Sequence, residues 1–180
     1  MRNMGYCGVM CFMRVLGIDP GYAIVGYGAV DFTNNRFTVI NYGAITTKAG
    51  LLFSTRLEEI YNDMLLLLDK TKPDAIAIEK LFFNTNTTTA MDVAHARGVI
   101  LLAAKQKGVP VYEYTPPQVK SAVTGYGLAE KKQVMEMTKN ILSLDKIPKP
   151  DDTADALAIA ICHAHIGGSM LGKLNPGGMI

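Results

Sequence analysis

The sequence predicts one α/β domain built on a mixed, five-stranded β-sheet flanked by helices. The 180 residues are enough for one domain. Three strand-like segments open the chain, and after them segments of helical period alternate with short apolar segments. We expect the opening strands to be antiparallel. The later strands are joined through helices, so we expect them to run parallel with right-handed crossovers.

Three strand candidates come first. Residues 14–18 are a short apolar run that ends at the turn signal Asp-Pro-Gly of residues 19–21. Residues 25–32 are the second candidate, and residues 36–45 follow after a turn-forming Asn-Asn pair. Together these segments are typical of an antiparallel meander.

The period then changes to that of a helix. Residues 54–70 place apolar side chains three and four apart, with Ser54 as the expected N-cap. A Lys-Pro-Asp sequence ends this helix. Residues 75–78 (AIAI) are a short apolar strand closed by Glu79, and residues 109–114 are the fifth strand candidate.

Four more helices are predicted in the second half of the chain. Residues 87–107 form a long one that lies between the last two strands. Residues 116–123 and 129–142 follow, joined by a Gly-Tyr-Gly turn. After a proline-rich linker, residues 152–165 form the last helix, which is strongly apolar beyond its first turn.

The two ends of the chain are expected to lie outside the folded domain. Residues 1–12 precede Met13, where the first strand-like segment begins, and we interpret them as a disordered extension. Residues 167–180 are rich in glycine and are expected to be a flexible tail. The folded domain is therefore predicted to span residues 13–166.

Bulk properties exclude some classes of protein. The net charge is +2 and the pI about 8.4, which is weak support for a nucleic-acid partner because clustered carboxylates would mask a basic surface. Three scattered cysteines argue against a disulfide framework and fit a reducing, cytoplasmic location. No apolar run approaches the roughly 18 residues of a membrane span, so no membrane partner is expected.

Acidic residues concentrate where a site would form. Asp19 and Glu79 each follow an apolar strand, and open α/β sheets bind ligands beyond such strand ends. Asp152 and Asp155 are three apart and share one face of the last helix. Each acid alone has a plain explanation, as a turn residue, a solvated strand end or a helix cap. Asp151 falls outside the shared face and is assigned to solvent.

Four converging acids would repel one another, because the sequence shows no obvious basic partner for them. Such a cluster requires cations, and hard divalent ions suit oxygen ligands. Mg²⁺ fits best because it binds through few carboxylates plus water and phosphate. Two such ions, about 3.5–4 Å apart, activate water and stabilise the leaving oxygen of a phosphodiester. The pattern therefore predicts metal-dependent cleavage of nucleic acid.

Six short motifs in chain order carry a family resemblance. They are LGIDPG at 16–21, AIEKLFF at 77–83, ARG at 96–98, QVK at 118–120, AEK at 129–131 and DTADALAIAICHAH at 152–165. Together they closely resemble the RuvC family of bacterial Holliday junction resolvases, over most of the chain from Met13 to about His165. Each motif alone is weak, but six in the same order are specific.

The resemblance implies a ribonuclease-H-like fold and a homodimer that hydrolyses DNA with Mg²⁺. Each subunit would nick one of two opposing strands of a four-way junction and leave ligatable ends. Two Mg²⁺ ions per subunit are expected, with Mn²⁺ as a substitute. The family also works with a branch-migration helicase complex, which is therefore an expected partner.

The resemblance also assigns roles to residues. The family's DNA-contacting lysines fall on Lys120 and Lys131, and its base-stacking aromatic falls on Phe82. Phe83 is adjacent, so in an extended segment the two rings point to opposite sides, and the residues alone leave open which is exposed. The family's catalytic and metal-binding acids fall on Asp19, Glu79, Asp152 and Asp155.

Arg97 and the histidines have weaker signals. Arg97 is a candidate phosphate contact, with a structural ion pair as an equal alternative. His95, His163 and His165 are expected to be ordinary helix residues rather than ligands. Some family members carry His at the Asp152 position, so the Asp here makes a histidine ligand unexpected.

Three other functions compete with junction cleavage. An RNA–DNA hybrid nuclease of the same fold would share the acids but would not need a two-fold dimer. A sugar-kinase or actin-like ATPase also places an acid and glycines after a strand, but it needs two related domains, for which 180 residues leave no room. A catalytically inactive DNA-binding module is disfavoured because all four acids are present.

Overall fold

The computed structural model describes residues 12–81, 87–168 and 179–180. Within these residues, strands and helices follow one another in an order that matches the prediction. They are β1 (Phe12–Asp19), β2 (Ile24–Thr33), β3 (Arg36–Thr46), α1 (Phe53–Thr71), β4 (Ala75–Glu79), α2 (Thr87–Gln106), β5 (Val111–Tyr114), α3 (Pro116–Thr124), α4 (Lys131–Ile141) and α5 (Asp151–Gly168).

The strands form one mixed sheet in the order β3-β2-β1-β4-β5. β1 pairs antiparallel with β2, and β2 pairs antiparallel with β3. β4 pairs parallel with β1 and with β5. Asn34 and Asn35 link β2 to β3 with φ angles of 52° and 59°, a left-handed pair typical of tight hairpins. The predicted mixed five-stranded sheet flanked by helices is confirmed.

Two hydrophobic cores lie on opposite faces of the sheet. One contains buried residues of α1 and α2, among them Ile60 and Ile100, packed on the strands. The other contains α3, α4 and α5, with Leu157 and Ile161 of α5 fully buried. Because α5 is apolar around most of its circumference, it packs against the sheet on one side and α3 and α4 on the other.

The starts of two helices differ from the prediction. α1 begins at Phe53, and its N-cap is Leu52, which makes no side-chain cap hydrogen bond, so the assignment of Ser54 as N-cap is wrong. The Phe53 ring packs 5.6 Å from the Tyr22 ring, and this tertiary contact overrides the local capping preference. α4 begins at Lys131, because the Gln133 side chain accepts a hydrogen bond from the Glu130 backbone N–H at 2.9 Å.

The ends of the domain also differ slightly. Phe12 already pairs with Thr33 in β1, and α5 continues to Gly168. Met179 forms an isolated antiparallel bridge with Tyr112 at the free edge of β5. Residues 1–11 and 169–178, which cover most of the predicted extension and tail, lie outside the described residues. In the described part of the chain, no helix is long and apolar enough to cross a membrane.

Candidate active site

Asp19 and Glu79 end two neighbouring parallel strands. The β1–β4 register pairs Ile18 with Ile78, so Asp19 and Glu79 are the next residues on both strands. In-register residues of parallel strands point to the same face of the sheet. The two carboxylates therefore lie side by side at one edge, as the strand-end position predicts.

Gly17 identifies the face to which these acids point. A Cβ on Gly17 would lie 2.0 Å from the Ala156 carbonyl oxygen, so this side of β1 is in direct contact with α5. Side chains two residues apart in a strand share a face. Asp19 is therefore directed to the side of the sheet that α5 covers, where Asp152 and Asp155 lie in its first two turns.

Gly26 brings the start of α5 beside Asp19. It is the β2 residue opposite Asp19, and a Cβ there would lie 2.0 Å from the Asp152 carbonyl oxygen. Thr153 adds an anchor, because its hydroxyl donates a hydrogen bond to the Gly43 carbonyl oxygen at 3.0 Å. Sequence reasoning missed these glycines; a glycine inside a strand is a signal of close backbone approach.

The electrostatics of Asp19 show that the acids interact. Burial raises the pKa of Asp19 to about 8, and the charges of Glu79, Asp155 and Asp152 add to the rise. The pKa of Glu79 is also raised, first by burial and then by Asp155. Asp19 and Glu79 are thus costly to ionise while the neighbouring acids are charged, as expected for carboxylates gathered in one place.

Lys131 is the basic partner that the sequence did not reveal. Its Nζ lies 2.8 Å from Asp155 Oδ2 and 3.9 Å from Asp151 Oδ2. The expectation that the acids have no basic partner is therefore wrong for Asp155, because helix packing places the first residue of α4 beside the second turn of α5. Asp151 is also bonded to Lys149 at 2.6 Å, which fits its assignment to the solvated surface.

A cavity opens beside the acids between α3, α4 and α5. Its volume is about 290 Å³, and its lining includes both predicted lysines, Lys120 and Lys131, with Glu79 and Asp155. Val119 and Ile159 form part of its apolar lining. The structure therefore brings the two lysines and two of the four acids to one opening, which suits a phosphate group close to a metal site.

The four acids have the chemistry of a site for a hard divalent cation, but their side chains do not surround a position for an ion. In residues 12–81, 87–168 and 179–180, no three His, Cys, Asp or Glu side chains converge closely enough to hold an ion. One of the four acids, Asp155, is instead paired with Lys131. These side chains fit a hard divalent cation, because four carboxylates supply only oxygen ligands and their charges require a cation.

Other candidates lie elsewhere. Arg97 forms an ion pair with Glu113 of β5 and its side chain is 14% exposed, so the structure shows the ion-pair alternative. His163 is buried, shares a hydrogen bond of 2.6 Å with the Tyr114 hydroxyl, and has a pKa lowered to about 4 by burial. Phe82 and Phe83 lie outside the described residues, so the question of which ring is exposed stays open.

The raised pKa of Asp19 predicts a stability change for the metal-free protein. Its folded-state pKa of about 8 exceeds the ordinary value of 3.8, so between these values the folded state holds a proton that the unfolded state has lost. Stability must therefore fall as the pH rises through this window. At pH 8 in EDTA, we expect Asp19→Asn to be more stable than the unsubstituted protein by roughly 1 kcal/mol or more. Each kcal/mol should raise the unfolding temperature by about 2–4 °C.

Thermal unfolding between pH 5 and pH 8 measures this difference. Asp63→Asn is the matched control, because Asp63 is an exposed acid on α1. The control should follow the unsubstituted protein at every pH, whereas Asp19→Asn should diverge from it as the pH rises. Superimposable curves for Asp19→Asn and the unsubstituted protein would show that Asp19 carries no such penalty.

Comparison with known proteins identifies the family. The model for "Crossover junction endodeoxyribonuclease RuvC" matches residues 15–163. The chain is 56% identical over 163 residues to the protein of that name from Ruminiclostridium cellulolyticum, covering 89% of this chain and 98% of the relative. It is 60% identical over 155 residues to that from Alkaliphilus metalliredigens, covering 86% and 94%.

A solved structure agrees with these relatives. Thermus thermophilus RuvC in complex with a Holliday junction substrate superposes with a TM-score of 0.84 at 35% identity, covering 93% of this chain and 99% of that one. Its ribonuclease-H-like fold is the fold described above. The matches run from β1 to α5 and include the strand ends and the helix that carry the four acids. The chain belongs to the RuvC family of crossover junction endodeoxyribonucleases.

Proposed function

We propose that this protein resolves four-way DNA junctions by metal-dependent hydrolysis of phosphodiester bonds, in homologous recombination and DNA repair. The observation that carries the proposal is the meeting of two adjacent strand ends, bearing Asp19 and Glu79, with the acidic start of α5. Relatives named for junction cleavage, and a neighbour solved with a Holliday junction, support the choice of substrate.

The proposed metal is Mg²⁺, with two ions per subunit and Mn²⁺ as a substitute. Asp19, Glu79, Asp152 and Asp155 would hold the ions. When bound, such ions supply an activated water and charge stabilisation for the leaving oxygen. The protein's own contribution is to hold Asp19 and Glu79 on rigid strand ends and to pack α5 against them through Gly26.

Lysines at the cavity opening would hold the DNA backbone. Lys120 and Lys131 line the same cavity as Glu79 and Asp155, so a phosphate bound to these lysines lies beside the acids. Their ammonium groups would fix the scissile strand and exclude part of the solvent around it. We do not place Arg97 among the DNA contacts, since its guanidinium is engaged with Glu113.

We also propose a homodimer that acts in the cytoplasm with a branch-migration helicase complex. A four-way junction presents two equivalent strands, and a two-fold dimer presents two equivalent sites, so the symmetries match. Paired cuts leave the two products with ligatable ends. Sedimentation of the purified protein should give twice the mass of 19.5 kDa; a monomer at micromolar concentration would contradict this part of the proposal.

Three DNA substrates test the function. The protein is incubated with Mg²⁺ and, in separate reactions, a four-way DNA junction, a linear DNA duplex and an RNA–DNA hybrid. Symmetric nicking of the junction, with little cutting of the other two, is the expected result. Equal cutting of all three would overturn junction selectivity, and preferential cutting of the hybrid would favour the hybrid-nuclease alternative. Asp19→Asn, purified in parallel, controls for contaminating nucleases.

Phe82→Ala is expected to slow junction cleavage more than it weakens junction binding. Stacking of an aromatic ring on a base is worth about 1–3 kcal/mol, which corresponds to roughly 5- to 150-fold in rate if the stack forms on the way to cleavage. Single-turnover cleavage and gel-shift binding measure the two effects separately. Phe83→Ala is the matched control, and an unchanged cleavage rate in Phe82→Ala would remove the stacking role.

A further inference from the structure

Lys131 occupies a position that its own helix does not favour. It is the first residue of α4, where the helix dipole is positive and a cation is destabilising by roughly 0.3–1 kcal/mol. The start of α4 is fixed one residue earlier by the hydrogen bond between Glu130 and Gln133. The ammonium group is therefore held in place by the fold, at a cost to α4, and its contacts lie on α5.

Those contacts reach the proposed metal site. Among the described residues, Lys131 is the only cation that forms an ion pair with any of the four acids, through Asp155 at 2.8 Å. Lys131 and Asp155 also line one cavity with Glu79, so the ammonium group lies at the opening beside a second acid. In this conformation the ammonium group supplies one positive charge, half of what a single divalent ion would bring.

The contact is suited to exchange. The Lys131 side chain is 56% exposed and the Asp155 side chain 29% exposed, and ion pairs of that exposure contribute little to stability. Lys131 also lines the cavity beside Lys120, so a DNA phosphate entering there offers the ammonium group another anionic partner. Moving from Asp155 to a phosphate would leave Asp155 free to bind a metal ion.

We propose that Lys131 is a positioning residue that occupies Asp155 until DNA arrives, and so couples metal binding to substrate binding. The inference rests on the proposed metal-dependent cleavage. It adds an order of events, in which DNA binds before the full set of acids takes up metal ions. Without DNA, metal ions compete with the ammonium group for Asp155. With DNA, the phosphate withdraws the ammonium group and the full set of acids becomes available.

Metal binding to the DNA-free protein tests the competition directly. Mn²⁺ is titrated into the unsubstituted protein, Lys131→Gln and Lys149→Gln, with calorimetry as the readout. Lys131→Gln should bind Mn²⁺ about fivefold more tightly, because an exposed ion pair, worth up to about 1 kcal/mol, no longer competes for Asp155. Lys149→Gln removes an equal charge, paired only with Asp151, and should stay within about twofold of the unsubstituted protein.

The coupling to DNA is measured with Ca²⁺, another hard, oxygen-seeking ion, and an intact four-way junction. Addition of the junction should tighten Ca²⁺ binding to the unsubstituted protein by a larger factor than to Lys131→Gln. For each protein, the factor by which the junction tightens Ca²⁺ binding should equal the factor by which Ca²⁺ tightens junction binding, since linkage is reciprocal. Gel analysis of the recovered DNA checks that it was not cut during the titration.

The outcomes separate this inference from the proposed function. Equal Mn²⁺ affinity in Lys131→Gln and the unsubstituted protein would overturn the competition even if junctions are cut efficiently. An equal gain in Mn²⁺ affinity in Lys149→Gln would mean a general effect of charge, and it would also overturn the proposed competition. If Lys131→Gln shows the gain in Mn²⁺ affinity but the unsubstituted protein cuts no junction, the competition stands and the proposed function fails. Unchanged thermal unfolding of each variant confirms that the fold is retained.

Discussion

Asp19→Asn is expected to lower the rate of junction cleavage by at least about a hundredfold, because metal-ion stabilisation of transition-state charge is worth several kcal/mol and each 1.4 kcal/mol is tenfold in rate. The pKa of Asp19 is raised to about 8 by burial and then by the charges of Glu79, Asp155 and Asp152, so each of the other three acids acts on it. An amide of the same size keeps the packing but loses the charge that holds a cation.

Junction binding should survive this substitution. Affinity for DNA comes mainly from basic residues on phosphates, and an uncharged amide at position 19 leaves that attraction unchanged or stronger. Single-turnover cleavage in Mg²⁺ and gel-shift titration in EDTA measure the two properties, with Asp63→Asn as the control. Loss of binding together with cleavage would mean that Asp19 has a structural role, and retention of cleavage would remove it from the metal site.

Gly26→Ala is expected to reduce both cleavage and stability. The added Cβ would lie 2.0 Å from the Asp152 carbonyl oxygen and 2.3 Å from its carbonyl carbon, and these backbone atoms cannot move alone. The first turn of α5 must therefore shift away from Asp19. A displacement near 1 Å at a catalytic group can cost about a hundredfold in rate. Overpacking of this kind typically costs about 1–3 kcal/mol in stability.

Cleavage assays and thermal unfolding together check this prediction. Gly98→Ala is the control for stability, because a Cβ there meets no described atom within 4 Å and alanine favours helix α2. The control should unfold at the same or a higher temperature, and Gly26→Ala at a lower one. If Gly26→Ala cleaves at the unsubstituted rate, the position of the α5 start does not limit the reaction.

Periodicity and strand ends were enough to predict much of the site. An apolar strand followed by an acid occurs twice, and the spacing of Asp152 and Asp155 fixes their shared helix face whatever the packing. Family motifs then indicated the fold, which the structure confirms, and implied DNA-contacting roles for Lys120 and Lys131. These features are local in sequence, or depend on rules that hold for any parallel pair of strands, so no long-range contact had to be known.

Features that depend on packing were not predictable. The pairing of Lys131 with Asp155 joins two helices that the sequence shows only as separate segments, so the acids seemed to lack a partner. Gly26 is visible as a strand glycine, but the sequence does not say which backbone approaches it. The start of α1 follows a ring contact between Phe53 and Tyr22 rather than a local cap.

The dependence of the site on α5 has a consequence for synthesis of the protein. Two of the acids are in place once β1 and β4 have paired, but the other two arrive only with the helix at Asp151–Gly168. A chain still emerging from the ribosome thus carries half of its acidic site. The four acids come to one edge of the sheet only when the helix has been made and has docked on Gly17 and Gly26. We therefore expect a chain that ends before this helix to hold two of the four acids at the sheet edge and no more.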